Sequence, residues 1–152
     1  HKGSMASTPF HFNNQILNEG VAKLFCGVDG FLDGEQKRDF LYVGDCVDVN
    51  LWFLDHPQKS GIFNLGTGLA RTFNDVVRAV LKWHSENGQK QGRFEYIPFP
   101  QHLIGSYQNY TQADITKLRE MGYDKSFTSI EDGIFMYLDW LNLGDNSGRG
   151  LS

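Results

Sequence analysis

An α/β architecture is predicted by three features of this sequence. The blocks Arg38-Asp39-Phe40-Leu41-Tyr42-Val43-Gly44-Asp45 and Gly61-Ile62-Phe63-Asn64-Leu65-Gly66-Thr67-Gly68 are short apolar runs that end in polar and glycine residues. α/β sheets present ligand-facing loops in this way. Between the blocks lies a helix-like stretch closed by Pro57. Strands at residues 40–43 and 62–65 joined by such a crossover are expected to pair in parallel, as a βαβ unit.

The elements follow in order. Thr8-Pro9 opens a predicted helix through Asn18, since Thr is a good N-cap and Pro suits the first helical position. Gly20 closes it. Residues 22–26 read as a short strand, and the Gly- and Asp-bearing stretch 27–37 as a loop facing solvent or ligand. After the strand at 40–43, Asp45 is placed to cap a helix over 46–55. Val47, Val49, Leu51, Trp52, Phe53 and Leu54 leave that helix few polar faces, so it is expected to be largely buried.

Thr72 caps the next helix, with Asp75 three residues on, and Phe73, Val76, Val77, Val80 and Leu81 form one apolar stripe. Residues 93–99 alternate but are apolar on both faces, which predicts a strand covered on both sides. Asp114 caps a short helix ending at Gly122. Thr128 with Glu131 makes a capping box for a last helix carrying Ile130, Ile134, Tyr137, Leu138 and Leu141. From Leu143 onward Gly, Asp, Asn and Ser predict a frayed tail.

The 152 residues suit one domain with a real core. With 40% hydrophobic and 21% charged residues, neither disorder nor a fibrous repeat is indicated. The net charge of −4, with no basic run, argues against a nucleic-acid or anionic-membrane surface. No apolar run approaches the ~18 residues of a membrane span, and no signal-peptide pattern opens the chain. Cys26 and Cys46 stand apart, which predicts buried free thiols and no zinc or disulfide framework. A reducing cytoplasm fits. His56, His84 and His102 lie on different elements and argue for no metal site. Gly66-Thr67-Gly68 lacks the GxxxxGK[ST] pattern and reads as a turn.

The DF-hydrophobic-V-x-D strand and the NLGTG strand, in this order, resemble the second half of extended short-chain dehydrogenase/reductases acting on nucleotide sugars. His1-Lys2-Gly3-Ser4-Met5-Ala6-Ser7, Asp48-Val49-Asn50-Leu51-Trp52-Phe53-Leu54, Tyr96-Ile97-Pro98-Phe99-Pro100 and Gln108-Asn109-Tyr110-Thr111-Gln112-Ala113-Asp114 narrow the likeness to the branch that epimerises ADP-heptose. The resemblance runs from residue 1 to about 142. It implies the C-terminal portion of an extended Rossmann-like fold: the last parallel strands plus a small mixed α/β substrate-binding lobe, with 143–152 a flexible polar tail. No GxxGxxG is present, and Tyr42, Tyr96, Tyr107, Tyr110, Tyr123 and Tyr137 all lack a Lys four residues later. The chain also opens at His1 without a Met. The cofactor cradle and primary acid/base are therefore expected in a missing N-terminal Rossmann half, and the chain alone is expected to be inactive. Uncovered apolar faces and self-association are expected too.

The resemblance assigns residues. Lys2 implies the second acid/base, close to NADP, although by residue type alone a terminal lysine is surface decoration. A free lysine of pKa about 10.4 must be lowered by burial or neighbouring charge to act as a base. Ser4 and His11 fall at substrate-contacting positions, as do Phe25, Cys26, Gly27 and Val28. Arg38 can grip two phosphate oxygens, with a surface ion pair as the plainer reading. Tyr107 can stack on a base or bond a phosphate, or simply pack. The chain departs from the family pattern in three places: the 27–37 loop is longer than expected, Ser106 replaces an arginine, and position 26 is Cys where an acid is expected. The implied activity is NADP-dependent inversion at C6 of ADP-heptose by a homo-oligomer. Another nucleotide-sugar epimerase or dehydratase, or a non-catalytic nucleotide-sugar binding module, are the alternatives.

Overall fold

The computed structural model describes residues 6–143. Helix α1 (Thr8–Glu19) starts after Ser7, with Pro9 in its first turn and Gly20 closing it. Strand β1 (Val21–Phe25) follows at once. A two-residue strand, β2 (Lys37–Arg38), precedes helix α2 (Val43–Asp55). Strand β3 (Arg71–Thr72) leads into helix α3 (Phe73–Glu86), then come β4 (Arg93–Ile97), α4 (Thr116–Glu120) and α5 (Ile130–Leu138). The Thr72–Asp75 capping box forms as expected, with the Asp75 N–H donating to Thr72 Oγ1 at 3.0 Å and the Thr72 N–H to Asp75 Oδ2 at 3.1 Å.

The parallel pair is not the expected one. β1 and β4 run in parallel, Val21 opposite Arg93 and Phe25 opposite Ile97, while β2 and β3 form a separate antiparallel pair. No strand forms at 40–43 or 62–65. At 40–43 the chain is already turning, because the Tyr42 carbonyl accepts the N–H groups of Asp45 and Cys46 at 3.1 and 3.4 Å. At 62–65 the polar groups go to the 113–118 region: Lys117 Nζ donates to the Ile62 carbonyl at 2.9 Å, and Asn64 Nδ2 donates to the Asp114 carbonyl at 3.3 Å. The predicted βαβ unit is thus absent among the described residues. A short apolar run marks a segment able to extend, but a strand also needs a partner ladder.

Further expectations are corrected. α2 starts at Val43, with Asp45 inside its first turn, and it is not largely buried: Val43, Val47, Leu51 and Leu54 are 68%, 51%, 51% and 75% exposed. β4 lies at the edge of a two-stranded sheet with Arg93, Glu95 and Tyr96 exposed, so it is not covered on both sides. The last helix is capped by Ser129, whose hydroxyl accepts the Asp132 N–H at 3.0 Å. Thr128 is unavailable for that role, since Asp45 takes its N–H at 2.9 Å and its hydroxyl at 2.8 Å. Both thiols are free, but each is only half-buried. The predicted tail beyond 143 lies outside the described residues.

The core has two parts. The larger gathers Ile16 of α1, Ala22 and Leu24 of β1, Val76, Val77, Val80 and Trp83 of α3, and Ile134 and Leu138 of α5. The smaller holds Val49 of α2 and Leu118 of α4 with Tyr123, flanked by Trp52, Phe53, Phe63, Leu65 and Phe127.

Candidate functional site

The parallel register of β1 and β4 places Phe25 opposite Ile97, so Phe99 emerges beside the end of β1. Phe25 and Phe99 meet edge to face at 5.3 Å between centroids, and Phe99 meets Tyr107 the same way at 5.2 Å. The Arg38 guanidinium lies 5.1 Å from the Tyr107 ring centroid. Such a cation–π contact contributes about 0.5–1 kcal/mol where exposed and about 2 where desolvated. Three expected site residues, Phe25, Arg38 and Tyr107, thus come together, joined through Phe99.

Backbone bonds fix this arrangement. The Lys37 N–H donates to the Asn109 carbonyl at 2.9 Å and the Thr111 N–H to the Lys37 carbonyl at 3.1 Å, so β2 holds the segment bearing Tyr107. Arg38 donates from one terminal nitrogen to the Lys37 carbonyl at 3.0 Å. Burial raises the Tyr107 phenol above its ordinary value, with Arg38 pulling the other way. The phenol therefore stays protonated at neutral pH and can donate.

Cys26 and Gly27 have their N–H groups engaged, the first by the Ile97 carbonyl at 2.8 Å and the second by Asp33 Oδ1 at 2.7 Å. The Val28 carbonyl accepts the Phe31 N–H at 3.1 Å. These three residues form the tight start of the loop over 26–36. His11, half-buried in α1, sets its ring edge against Phe10. Lys2 and Ser4, including the expected acid/base and cofactor contact, lie outside the described residues.

Asp39 was missed by sequence reasoning and organises the neighbourhood. Its carboxylate accepts from the Thr67 N–H at 2.8 Å, the Thr67 hydroxyl at 2.6 Å, the Gly68 N–H at 2.9 Å and the Ala113 N–H at 3.0 Å. Gly66 allows this approach, because a Cβ there would sit 2.5 Å from Asp39 Oδ2. The signal was present as an acid just before an apolar run, paired with a Gly-Thr-Gly turn rich in free N–H groups. Phe99 and Asn109 were also passed over. Arg71, close by on β3, bridges Asp75 at 3.1 Å and Glu131 at 2.6 Å, and its pKa is raised chiefly by the Glu131 bond.

An apolar cavity of about 470 Å³ opens between the start of α1, residues 40–43 and α5, lined by Phe10, Phe40, Tyr42, Ile134, Tyr137 and Trp140 among others. Among the described residues, none of the expected site residues lines it. Among the described residues no three His, Cys, Asp or Glu side chains are grouped to hold a metal.

Residues 1–66 match the model of the NAD dependent epimerase/dehydratase family. The ADP-L-glycero-D-manno-heptose-6-epimerase of Alkalilimnicola ehrlichii is 54% identical over 139 residues, covering 91% of this chain and 42% of that protein. The ADP-L-glycero-D-manno-heptose-6-epimerase structure from Helicobacter pylori superposes with a TM-score of 0.67 at 28% identity, covering 90% of this chain and 38% of the other. The UDP-glucose 4-epimerase of Thermotoga maritima gives 0.64 at 25%, covering 90% and 39%. The chain has the α/β fold of part of a nucleotide-sugar epimerase and spans about two fifths of the length of these relatives. The expectation that it holds the family's C-terminal half only is overturned: the family match falls on the opening residues 1–66 and suggests the N-terminal Rossmann part.

Proposed function

We propose that this chain is the ADP-heptose-gripping part of an ADP-L-glycero-D-manno-heptose 6-epimerase, which inverts C6 by NADP-dependent oxidation and re-reduction for the heptose of a lipopolysaccharide core. The observation that carries this is the 54% identity over 91% of the chain. Arg38 neutralises and orients the diphosphate, because a planar guanidinium matches two phosphate oxygens at once. Tyr107, kept protonated, donates to a phosphate oxygen or stacks on the base, with Phe25 and Phe99 walling the same face. Ser4 and His11 add polar contacts to the substrate, and Cys26, Gly27 and Val28 lie along it. Lys2 keeps the acid/base role. The unit spans 1–142, with 143–152 a polar tail, in a cytoplasmic homo-oligomer.

A bound nicotinamide cofactor would supply the oxidation and the return of hydride at C6. One stretch of the described residues that resembles a phosphate cradle does not fit it. The Gly66-Thr67-Gly68 turn, the nearest thing to a phosphate cradle, has its Thr67 and Gly68 N–H groups committed to Asp39.

Calorimetric titration of the chain with ADP-heptose, UDP-glucose and GDP-mannose tests the reading. ADP-heptose should bind tightest, and Arg38→Ala should weaken it about tenfold, as expected for a lost charge-assisted contact. Equal affinity for all three, or an Arg38→Ala variant that binds as well as the wild type, would sink it. A second reading, another nucleotide-sugar epimerase or dehydratase, is favoured by Ser106, whose hydroxyl donates to the Leu103 carbonyl at 3.2 Å where the family pattern has a cation. Tighter binding of a UDP- or GDP-sugar would select it.

A further inference from the structure

The loop over 26–36 starts at Phe25 and ends at Lys37 and Arg38, so both its feet belong to the aromatic and guanidinium cluster. The feet are closed by the Gly34 N–H donating to the Phe25 carbonyl at 3.1 Å and by Gln36 Nε2 donating to the Cys26 carbonyl at 3.2 Å. The loop doubles back so tightly that a Cβ on Gly27 would lie 1.9 Å from the Phe31 carbonyl oxygen. On its inner side Asn74 of α3 donates to the Asp33 carbonyl at 2.9 Å and to Glu35 Oε1 at 2.6 Å, and is itself held by the Tyr96 hydroxyl at 3.0 Å. These bonds leave the outer tip to be fixed separately.

At that tip stands Asp29, the one non-glycine residue with positive φ (54°) among the described residues. Asp tolerates this conformation better than most side chains do. Its Oδ2 accepts from Asn109 Nδ2 at 2.7 Å. Asn109 lies two residues beyond Tyr107, and its carbonyl accepts the Lys37 N–H. Its own Oδ1 is buried with no partner. The opposite amide orientation would set that oxygen against the Asp29 carboxylate, so the unpaired oxygen goes with keeping the bond to the loop.

Resting on the nucleotide-sugar reading, we propose that Asp29 and Asn109 form a clasp that ties the tip of the 26–36 loop to the segment carrying Tyr107, making Asn109 a positioning residue for ligand binding. With the clasp closed, the loop tip and Tyr107 move as one body. With it open, the feet and the Asn74 ties, which hold Asp33, persist while residues 28–32 swing free. A ligand gripped by Arg38 and Tyr107 then meets an unordered wall and must order it on binding, which lowers affinity.

Hydrogen exchange of the 28–32 amides and titration with ADP, on the same preparations of the whole chain, test this. Asn109→Asp sets two carboxylates against each other. It should speed exchange at 28–32 about tenfold and weaken ADP about three- to tenfold, leaving exchange in α3 unchanged. The swapped double variant, Asp29→Asn with Asn109→Asp, restores a donor facing a carboxylate and should recover both readouts. Unchanged exchange in Asn109→Asp with normal ADP binding overturns the clasp. Faster exchange with unaltered affinity overturns the positioning role. A wild-type chain that does not bind ADP removes the nucleotide-sugar reading and the positioning role with it, while the exchange data still decide the clasp.

Discussion

The apolar cluster around Trp83 and the one around Val49 differ in how completely the described residues close them. α3 places Val76, Val77, Val80 and Trp83 against α1, β1 and α5, and Ile16, Trp83 and Leu138 are wholly inaccessible. α2 buries Val49 but leaves Val43, Val47, Leu51 and Leu54 in water along a single stripe. Amphipathicity explains the first helix, since its polar positions fall together on the outer face. α2 has apolar residues on both faces, and this chain covers one. The lesson is that an all-round apolar helix reports how much cover it needs, without saying which polypeptide provides it.

The sharpest way to separate the two clusters is to empty each. Trp83→Ala should cost about 3–5 kcal/mol, by lost burial and cavity formation, and should also strand Asp139, whose carboxylate accepts the indole N–H at 2.7 Å. Leu118→Ala, in the smaller cluster, should cost about 2 kcal/mol, because partly open surroundings can collapse. Denaturant melts of both variants check the difference. Equal losses would mean that the second cluster is as closed as the first.

Between the clusters, Asp39→Ala should cost about 2–3 kcal/mol by leaving the Thr67, Gly68 and Ala113 N–H groups without an acceptor. Asp39→Asn should lose less. A melt showing neither change would remove Asp39 from its organising place.

A smaller effect is set by pH and belongs to the larger cluster alone. His84 is fully buried, its Nε2 bonds Asn13 Oδ1 at 3.0 Å and its Nδ1 has no partner. Burial lowers its pKa from the ordinary value near 6.5. Below that ordinary value the unfolded chain takes up a proton which the folded chain resists. Stability is therefore full above about pH 6.5 and falls as pH drops below it, by up to about 1.4 kcal/mol per unit. Melting temperatures from pH 7.5 to 5 should show this loss, and His84→Gln should flatten the His84 contribution. A parallel slope in both proteins would assign the loss to other groups.

The smallest stability change is expected on the α2 stripe. Val47→Glu or Leu51→Lys should shift stability by no more than about 0.5 kcal/mol, while reducing self-association seen by sedimentation. A marked drop in Tm would show that the stripe is packed within the chain after all.

What could be read from sequence divides along the same line. The α1 and α3 boundaries were legible because Pro9, Gly20, Thr72 and Asp75 act within one turn of the backbone they terminate. The strands expected at 40–43 and 62–65 failed because an apolar run names no partner, and the ladder that formed joins β1 to a segment far along the chain. Phe25, Arg38 and Tyr107, picked by resemblance, lie together, whereas Phe99, which links Phe25 to Tyr107, sat in a quoted run without being singled out. Asp45 was expected to cap its own helix and instead holds Thr128 across the fold, a choice that only tertiary packing could decide.

The pairing of Val21 with Arg93 and of Phe25 with Ile97 has a kinetic consequence. During synthesis the first strand leaves the ribosome long before its neighbour exists, and its unpaired edge must wait while α2 and α3 are made. Loop closure over that distance is slow compared with helix formation, so the β1–β4 ladder should be a late event in refolding. The aromatic and guanidinium cluster hangs from the end of that ladder, so its assembly should be among the last events in the nascent polypeptide's folding.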